Sequence, residues 1–397
     1  MTGQPSDPGY FRLRPYEADD SGRFDRADHA HEEVLKWVRR KPAPILYLSG
    51  RSGSGKTSLL QSWVIPKITQ GEAPYQVLTV RGFNDPLWKL AESLLRPGTV
   101  WAQPPQGMME PRELLEQACQ HLQPRNLLLV LDQFEEFLIL QSEGARETLQ
   151  NFLNSILSKP IANLMVLIVF RSDYDALLSA FIGGRLTLGE NYKVISPFTE
   201  RACLDFLEGS GLRLGGELKS KVLREMLEIE ETQGLVRPIT INLFGMVLAR
   251  SNARLPQGIA AGSIIRDYLY SVIHAPELRE HVGKILPAMI TKAATKHPRS
   301  IDEIAAQSRL DPNLVRGALL HLGNEGLVRP LDQNNNVWEI SHDFVARILS
   351  SLLSDWRATF MRRVRPWLLP ASVAVWAIAL AALVQWGRAH HDDKIRQ

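Results

Sequence analysis

The stretch GRSGSGKT (50–57) has the spacing G-x-x-x-x-G-K-[ST], and its flanks are those the spacing needs. ILYLS (45–49) before it is an apolar run of strand length, and TSLLQSWVI after it reads as a helix. Gly53 and Gly55 let the backbone curl so that its N–H groups point inward at an anion, and the helix start adds its positive end. Gly50, Ser52, Gly53, Ser54, Gly55, Lys56 and Thr57 are therefore candidate phosphate-binding residues. Lys56 is expected to reach the β- and γ-phosphates of ATP or ADP, and the Thr57 hydroxyl to ligate Mg²⁺.

Outward from this loop, NLLLVLDQFEEF (126–137) is an apolar strand ending in Asp132, followed by Glu135 and Glu136. A carboxylate at the C-terminal end of a strand beside the phosphate loop is placed to hold the Mg²⁺ water shell. An amide at Gln133 cannot act as a base. Water activation falls to Glu135 or Glu136, or hydrolysis is slow. For Glu135 a solvated helix start is an equal alternative. Arg171 ends the strand LMVLIVF (164–170) and can report on a γ-phosphate; the alternative is an ion pair with Asp173 or Asp175.

The apolar runs at 45–49, 76–80, 127–132, 164–170 and 192–198 alternate with helical patterns. Uninterrupted runs of this kind are strands buried on both faces, so residues 26–200 are expected to form a parallel α/β P-loop domain behind an irregular lead, 1–25. Beyond 200 the pattern is helical to 293, with breaks at 209–216 and 254–258. In 294–360, Ser300 and Glu303 form a capping box, Asp311-Pro312 opens the helix 313–322, and LVRPL, DQNNN and VWEIS read as a hairpin. Helix, helix, hairpin is the order of a winged helix.

From Pro366 to Gly387 no residue is charged, and Trp367 and Trp386 stand near the ends. About 20 residues of helix span about 30 Å, so 366–387 is expected to be a transmembrane helix, leaving a short tail, 388–397. Arg362, Arg363 and Arg365 before it favour a cytoplasmic N-terminal region. The rest of the composition is ordinary: 397 residues, 45% hydrophobic, 22% charged, net charge +3. That balance gives no reason to expect a polyanion partner. Cys119 and Cys203 read as small core residues in a reducing compartment.

Taken in order, these pieces resemble the STAND ATPases, signalling relatives of the AAA+ class that include NACHT and NB-ARC proteins, and most of all the bacterial novel STAND group. LRPY (13–16) is similar to the group's LRPF, LVLDQFEEF to its second motif, GLVRP (234–238) to its Gly-Leu-Pro element, and WEISHDFV (338–345) to its Met-His-Asp element. The resemblance implies that Pro238 contacts adenine and that His342 reaches the ADP β-phosphate, holding a closed state. One departure is RFDRADH (23–29), where the group carries Phe-Gly-Arg; its missing glycine leaves the N-terminal contribution to the adenine pocket open.

The function expected is a membrane-anchored ATP/ADP switch in stress or defence signalling, slow in hydrolysis and self-associating when activated by a protein trigger. A DNA-binding winged-helix ATPase is the alternative. Helix 313–322 offers Arg316 and His321 and little else to read bases, which makes nucleic acid a poor partner. A motor-type AAA+ ATPase is a further alternative and needs a robust catalytic carboxylate.

Overall fold

The protein is described here by a computed structural model. It describes residues 10–12, 15–70, 74–81, 86–107, 109–182, 184–230, 234–250, 264–276, 278–331, 335–341, 343 and 345–354. The chain divides into two compact units, Met1–Tyr268 and Leu269–Gln397, the division falling within the helix Ile264–Ile273.

The first unit is built on five parallel strands: β1 (Ile45–Ser49), β2 (Tyr75–Arg81), β3 (Asn126–Asp132), β4 (Leu164–Val169) and β5 (Tyr192–Val194). Their order across the sheet is β2-β3-β4-β1-β5, with Leu129 beside Val166 and Leu46 beside Leu167. Strand β4 thus lies between the strand that enters the phosphate loop and the strand that ends in Asp132.

Successive side chains on a strand point to opposite faces, and here both faces are covered. Leu127, Leu129 and Leu131 pack with Leu115, Phe134 and Leu153 on one face. Leu128 and Val130 pack with Val34, Leu59 and Val64 on the other. This two-sided burial is why β1, β3 and β4 read as unbroken apolar runs, while the edge strands β2 and β5 are partly exposed. The expected fifth run splits, because β5 ends at Val194 and Phe198–Thr199 forms a separate strand, β6.

Beyond residue 200 the expectation of helices alone needs correction. Helices Glu200–Gly209, Gly216–Glu230 and Pro238–Arg250 are joined by a two-residue strand, β7 (Leu235–Val236), antiparallel to β6. Two residues carry no readable periodicity, and pairing alone defines them. The lead is packed as well. Phe11, Tyr16 and Phe24 are buried. Phe11 sits against Gly245, where an added methyl group would collide with its ring at 2.2 Å.

The second unit holds helices Val282–Ala288, Ile301–Ser308 and Pro312–Asn324 and an antiparallel sheet. Its strands are β8 (Arg299–Ser300), β9 (Val328–Pro330) and β10 (Val337–Ile340), in the order β8-β10-β9. The capping box at Ser300 and Glu303 is formed, and the Asp311 side chain accepts from Asn313 N–H at 2.8 Å. Glu339 is fully buried and paired with Lys296 at 2.9 Å and with Arg329. Among the described residues no helix is long and apolar enough to cross a membrane. The expected span, 366–387, and its tail lie outside the described residues, as does His342.

Candidate phosphate-binding site

The loop after β1 is a curl that only glycine permits at three points. Gly53 and Gly55 have φ of +77° and +86°, in the left-handed region. At Gly50 a methyl group would lie 2.7 Å from both the Ile195 carbonyl and Ser54 Oγ. The helix that follows starts at Lys56 and continues through a π-helical turn, Leu60–Val64, to Thr69. Half-buried Lys56 folds back over the loop, its ammonium donating to the carbonyls of Gly50 at 2.6 Å and Arg51 at 3.3 Å. Burial lowers its pKa, and the nearby carboxylates of Glu135 and Asp132 pull the other way.

Asp132 ends β3 within reach of the loop, with the Thr57 hydroxyl donating to its Oδ2 at 3.3 Å. Gln133 is in the left-handed conformation, φ 58°, and its N–H caps Asp132 Oδ1 at 3.0 Å. That turn swings the next helix, Phe134–Leu140, so that Glu135 faces inward. Glu135 is 7% exposed, so a solvated helix start does not describe it. Burial raises its pKa, and Lys56 opposes the rise. One Glu135 oxygen accepts from the backbone N–H of Arg171 at 3.2 Å, which ties the end of β4 to the same cluster. Glu136 is less buried and starts the same helix. The Arg171 guanidinium pairs with Asp173 at 2.6 Å, the alternative that its neighbours in sequence had raised.

Several groups here carry no motif. Asp175 accepts from Ser49 Oγ at 2.9 Å and from Tyr192 OH at 2.8 Å, linking the last residue of β1 to the first of β5. Pro238 is the first residue of its helix and also lies against the loop, 3.7 Å from a methyl group placed on Gly55. Ile239 covers Gly53, its backbone N–H donating to the Gly53 carbonyl at 3.4 Å. Tyr16 of the lead donates its hydroxyl to Asn242 Oδ1 at 2.5 Å, and its N–H to Ser58 Oγ at 3.2 Å. Arg26 reaches the loop from the RFDRADH segment, donating to the Ser54 carbonyl at 2.7 Å. The missing glycine in that segment does not keep it from the loop. The only sequence signal for these contacts was the order of the elements, because the partners stand up to 226 residues apart.

The arrangement joins a left-handed glycine curl, a lysine folded over it, a hydroxyl–carboxylate pair and a buried glutamate. It suits a charged phosphate chain. No curated protein matches the chain. Among solved structures it is similar in outline to the ORC1 protein of Aeropyrum pernix in complex with DNA, at 16% identity, covering 86% of this chain and 95% of that one with a TM-score of 0.45. It is also similar to a Walker-type ATPase of Pyrococcus abyssi, at 18% identity, 86% and 99% coverage and a TM-score of 0.44. A third is the ORC2 protein of Aeropyrum pernix with ADPNP and ADP, at 16% identity, 86% and 96% coverage and a TM-score of 0.40. Similarities this distant carry nothing about what this chain binds. The model of the novel STAND NTPase 1 family matches residues 9–239, which run from the lead through the phosphate loop to the segment that covers it. With more than half of its length matched, and the matched part holding the whole loop cluster, the chain belongs to the novel STAND NTPases.

Proposed function

We propose that the chain is an ATP/ADP switch with slow hydrolysis. The observation that carries this reading is that one loop serves two purposes. Its inner side holds Lys56 and the pair Thr57–Asp132, while its back is covered by Arg237, Pro238 and Ile239 at the head of the helix Pro238–Arg250. A phosphate chain bound inside therefore acts on the surface against which that helix rests. Such a device is driven only by the difference in nucleotide affinity between its states.

The Thr57 hydroxyl and the Asp132 carboxylate, brought together beside the loop, are the hard oxygen donors that a small divalent cation takes. Thr57 and Asp132 would hold Mg²⁺, which when bound neutralises charge on the β- and γ-phosphates. Glu135 is the residue that would accept a proton from an attacking water, being buried at the loop with one oxygen held by the Arg171 N–H. Arg171 would leave Asp173 to meet a γ-phosphate.

The finer parts of the reading rest on the sequence. Residues 366–387 anchor the chain in the cell membrane with the ATPase region cytoplasmic, and ATP loading promotes self-association in stress or defence signalling. The order of helices and strands in the second unit supports a winged helix there. Its helix Pro312–Asn324 exposes Leu314 and Leu320, which suits a protein partner better than base edges.

The deciding experiment is to identify the nucleotide that copurifies with the protein and to measure its exchange. ADP or ATP is expected, and Lys56→Ala is expected to lose it, because the loop places no other cation over the phosphates. Near wild-type nucleotide affinity in Lys56→Ala would sink the reading.

A further inference from the structure

Three successive carbonyls of the phosphate loop are held by groups from outside it. The Ser52 carbonyl accepts from Arg237 at 3.4 Å, the Gly53 carbonyl from Ile239 N–H at 3.4 Å, and the Ser54 carbonyl from Arg26 at 2.7 Å. In a trans peptide the C=O and the following N–H point in opposite directions. A carbonyl drawn outward therefore turns the next N–H the other way, toward the inside of the curl. A carbonyl free to rotate could turn its negative end on a phosphate instead.

Arg26 makes the shortest of the three bonds and is itself the most constrained. It is 3% exposed. Its Nε and one terminal nitrogen grip Asp28 at 2.9 and 2.6 Å, and that terminal nitrogen also donates to the Ser196 carbonyl at 3.2 Å. The guanidinium plane lies over the Phe198 ring at 4.7 Å. Only the planar fork of arginine can grip a carboxylate with one edge and donate to the loop with the other. Burial by itself would raise the Asp28 pKa, but Arg26, the Ala30 N–H and His31 together lower it, which favours the ionised carboxylate in the clamp.

We propose that Arg26 is a positioning residue for the phosphate loop: it holds the Ser54 carbonyl outward, keeps the Gly55 N–H turned toward bound phosphate, and so makes phosphate affinity depend on the lead segment being docked. The inference rests on the nucleotide-binding reading above and adds a residue and a coupling to it. Because Arg237 and Ile239 hold the two preceding carbonyls, the loop is kept in its anion-binding form from two sides. Coupling of this kind is reciprocal: phosphate binding tightens the docking of the lead by the same factor.

The test measures binding of ATP, GTP and inorganic pyrophosphate to the full chain and to Arg26→Lys, Arg26→Met and Asp28→Asn, with thermal melting of each. Both Arg26 variants are expected to bind ATP and pyrophosphate more weakly by the same factor, roughly 10- to 150-fold, with the ATP-to-GTP ratio unchanged. Asp28→Asn is expected to show a smaller, parallel loss with little change in melting. It decides the matter if the Arg26 variants fail to fold. Wild-type affinity in Arg26→Lys would mean that charge alone matters and would overturn the proposal. So would weakened ATP binding with unchanged pyrophosphate binding, which would move Arg26 to the base, or unchanged binding in a folded Asp28→Asn. Failure of the wild type to bind any of the three ligands would overturn the nucleotide reading itself and this inference with it.

Discussion

At the residue scale the proposed hydrolysis turns on Glu135. Its position two residues after Gln133 does not distinguish a base from a solvated helix start. Its burial and its bond from the Arg171 N–H rule out the solvated helix start and hold the carboxyl in place beside Lys56. A carboxyl whose folded pKa is raised favours the folded state when protonated. Without nucleotide, stability is therefore expected to fall as pH rises from the ordinary carboxylate range through the raised pKa of Glu135. Hydrolysis is expected to rise over the same interval as the base becomes available. Glu135→Gln should keep ATP binding, lose most turnover and flatten both pH dependences, as read by melting curves and phosphate release from pH 4 to 8. A variant with wild-type turnover would remove Glu135 from the reaction.

At the element scale the phosphate loop and the head of the helix Pro238–Arg250 act as one piece. Gly53 shows why: a methyl group there would lie 2.5 Å from Ile239 Cγ2, and its φ of +77° disfavours any side chain. Gly53→Ala is expected to push Ile239 off the loop, to weaken nucleotide binding at least 10-fold and to speed ADP release, measured by displacement of a fluorescent ADP. The second unit offers an independent check of its own local structure. Ser300 caps the helix Ile301–Ser308 by accepting from Glu303 N–H at 3.2 Å, while Glu303 answers on Ser300 N–H at 2.9 Å. Ser300→Ala should cost about 1 kcal/mol of that unit's stability, visible as a lower melting temperature with nucleotide affinity unchanged.

At the scale of the whole molecule, the nucleotide cluster lies within Met1–Tyr268, and the uncharged run begins at Pro366. Removal of residues 366–397 is therefore expected to give a protein that stays in the soluble fraction without detergent and binds ATP as the full chain does. Full-length protein that fractionates as soluble without detergent would end the membrane-anchor proposal. The two units also bear on how variants are read. Substitutions around Glu339, buried with Lys296 and Arg329, should destabilise the second unit.

The sequence by itself determined the class of the first unit and the centre of its site. Parallel strands buried on both faces must be apolar throughout, and a phosphate curl must place glycines at fixed offsets before Lys56 and Thr57, so both leave marks within a few residues. The capping box at Ser300 and Glu303 was legible for the same reason. What only the tertiary structure decided is which distant segments are brought together around the loop. Arg26, Asn242 and the pair β6–β7 carry no local pattern, since one hydrogen bond across a long stretch of chain places no demand on the residues beside it. The burial of Glu135 belongs with them. Whether a carboxylate faces water or a lysine depends on how the left-handed turn at Gln133 aims the helix and on what β4 brings beside it, and neither is written in the spacing of DQFEEF.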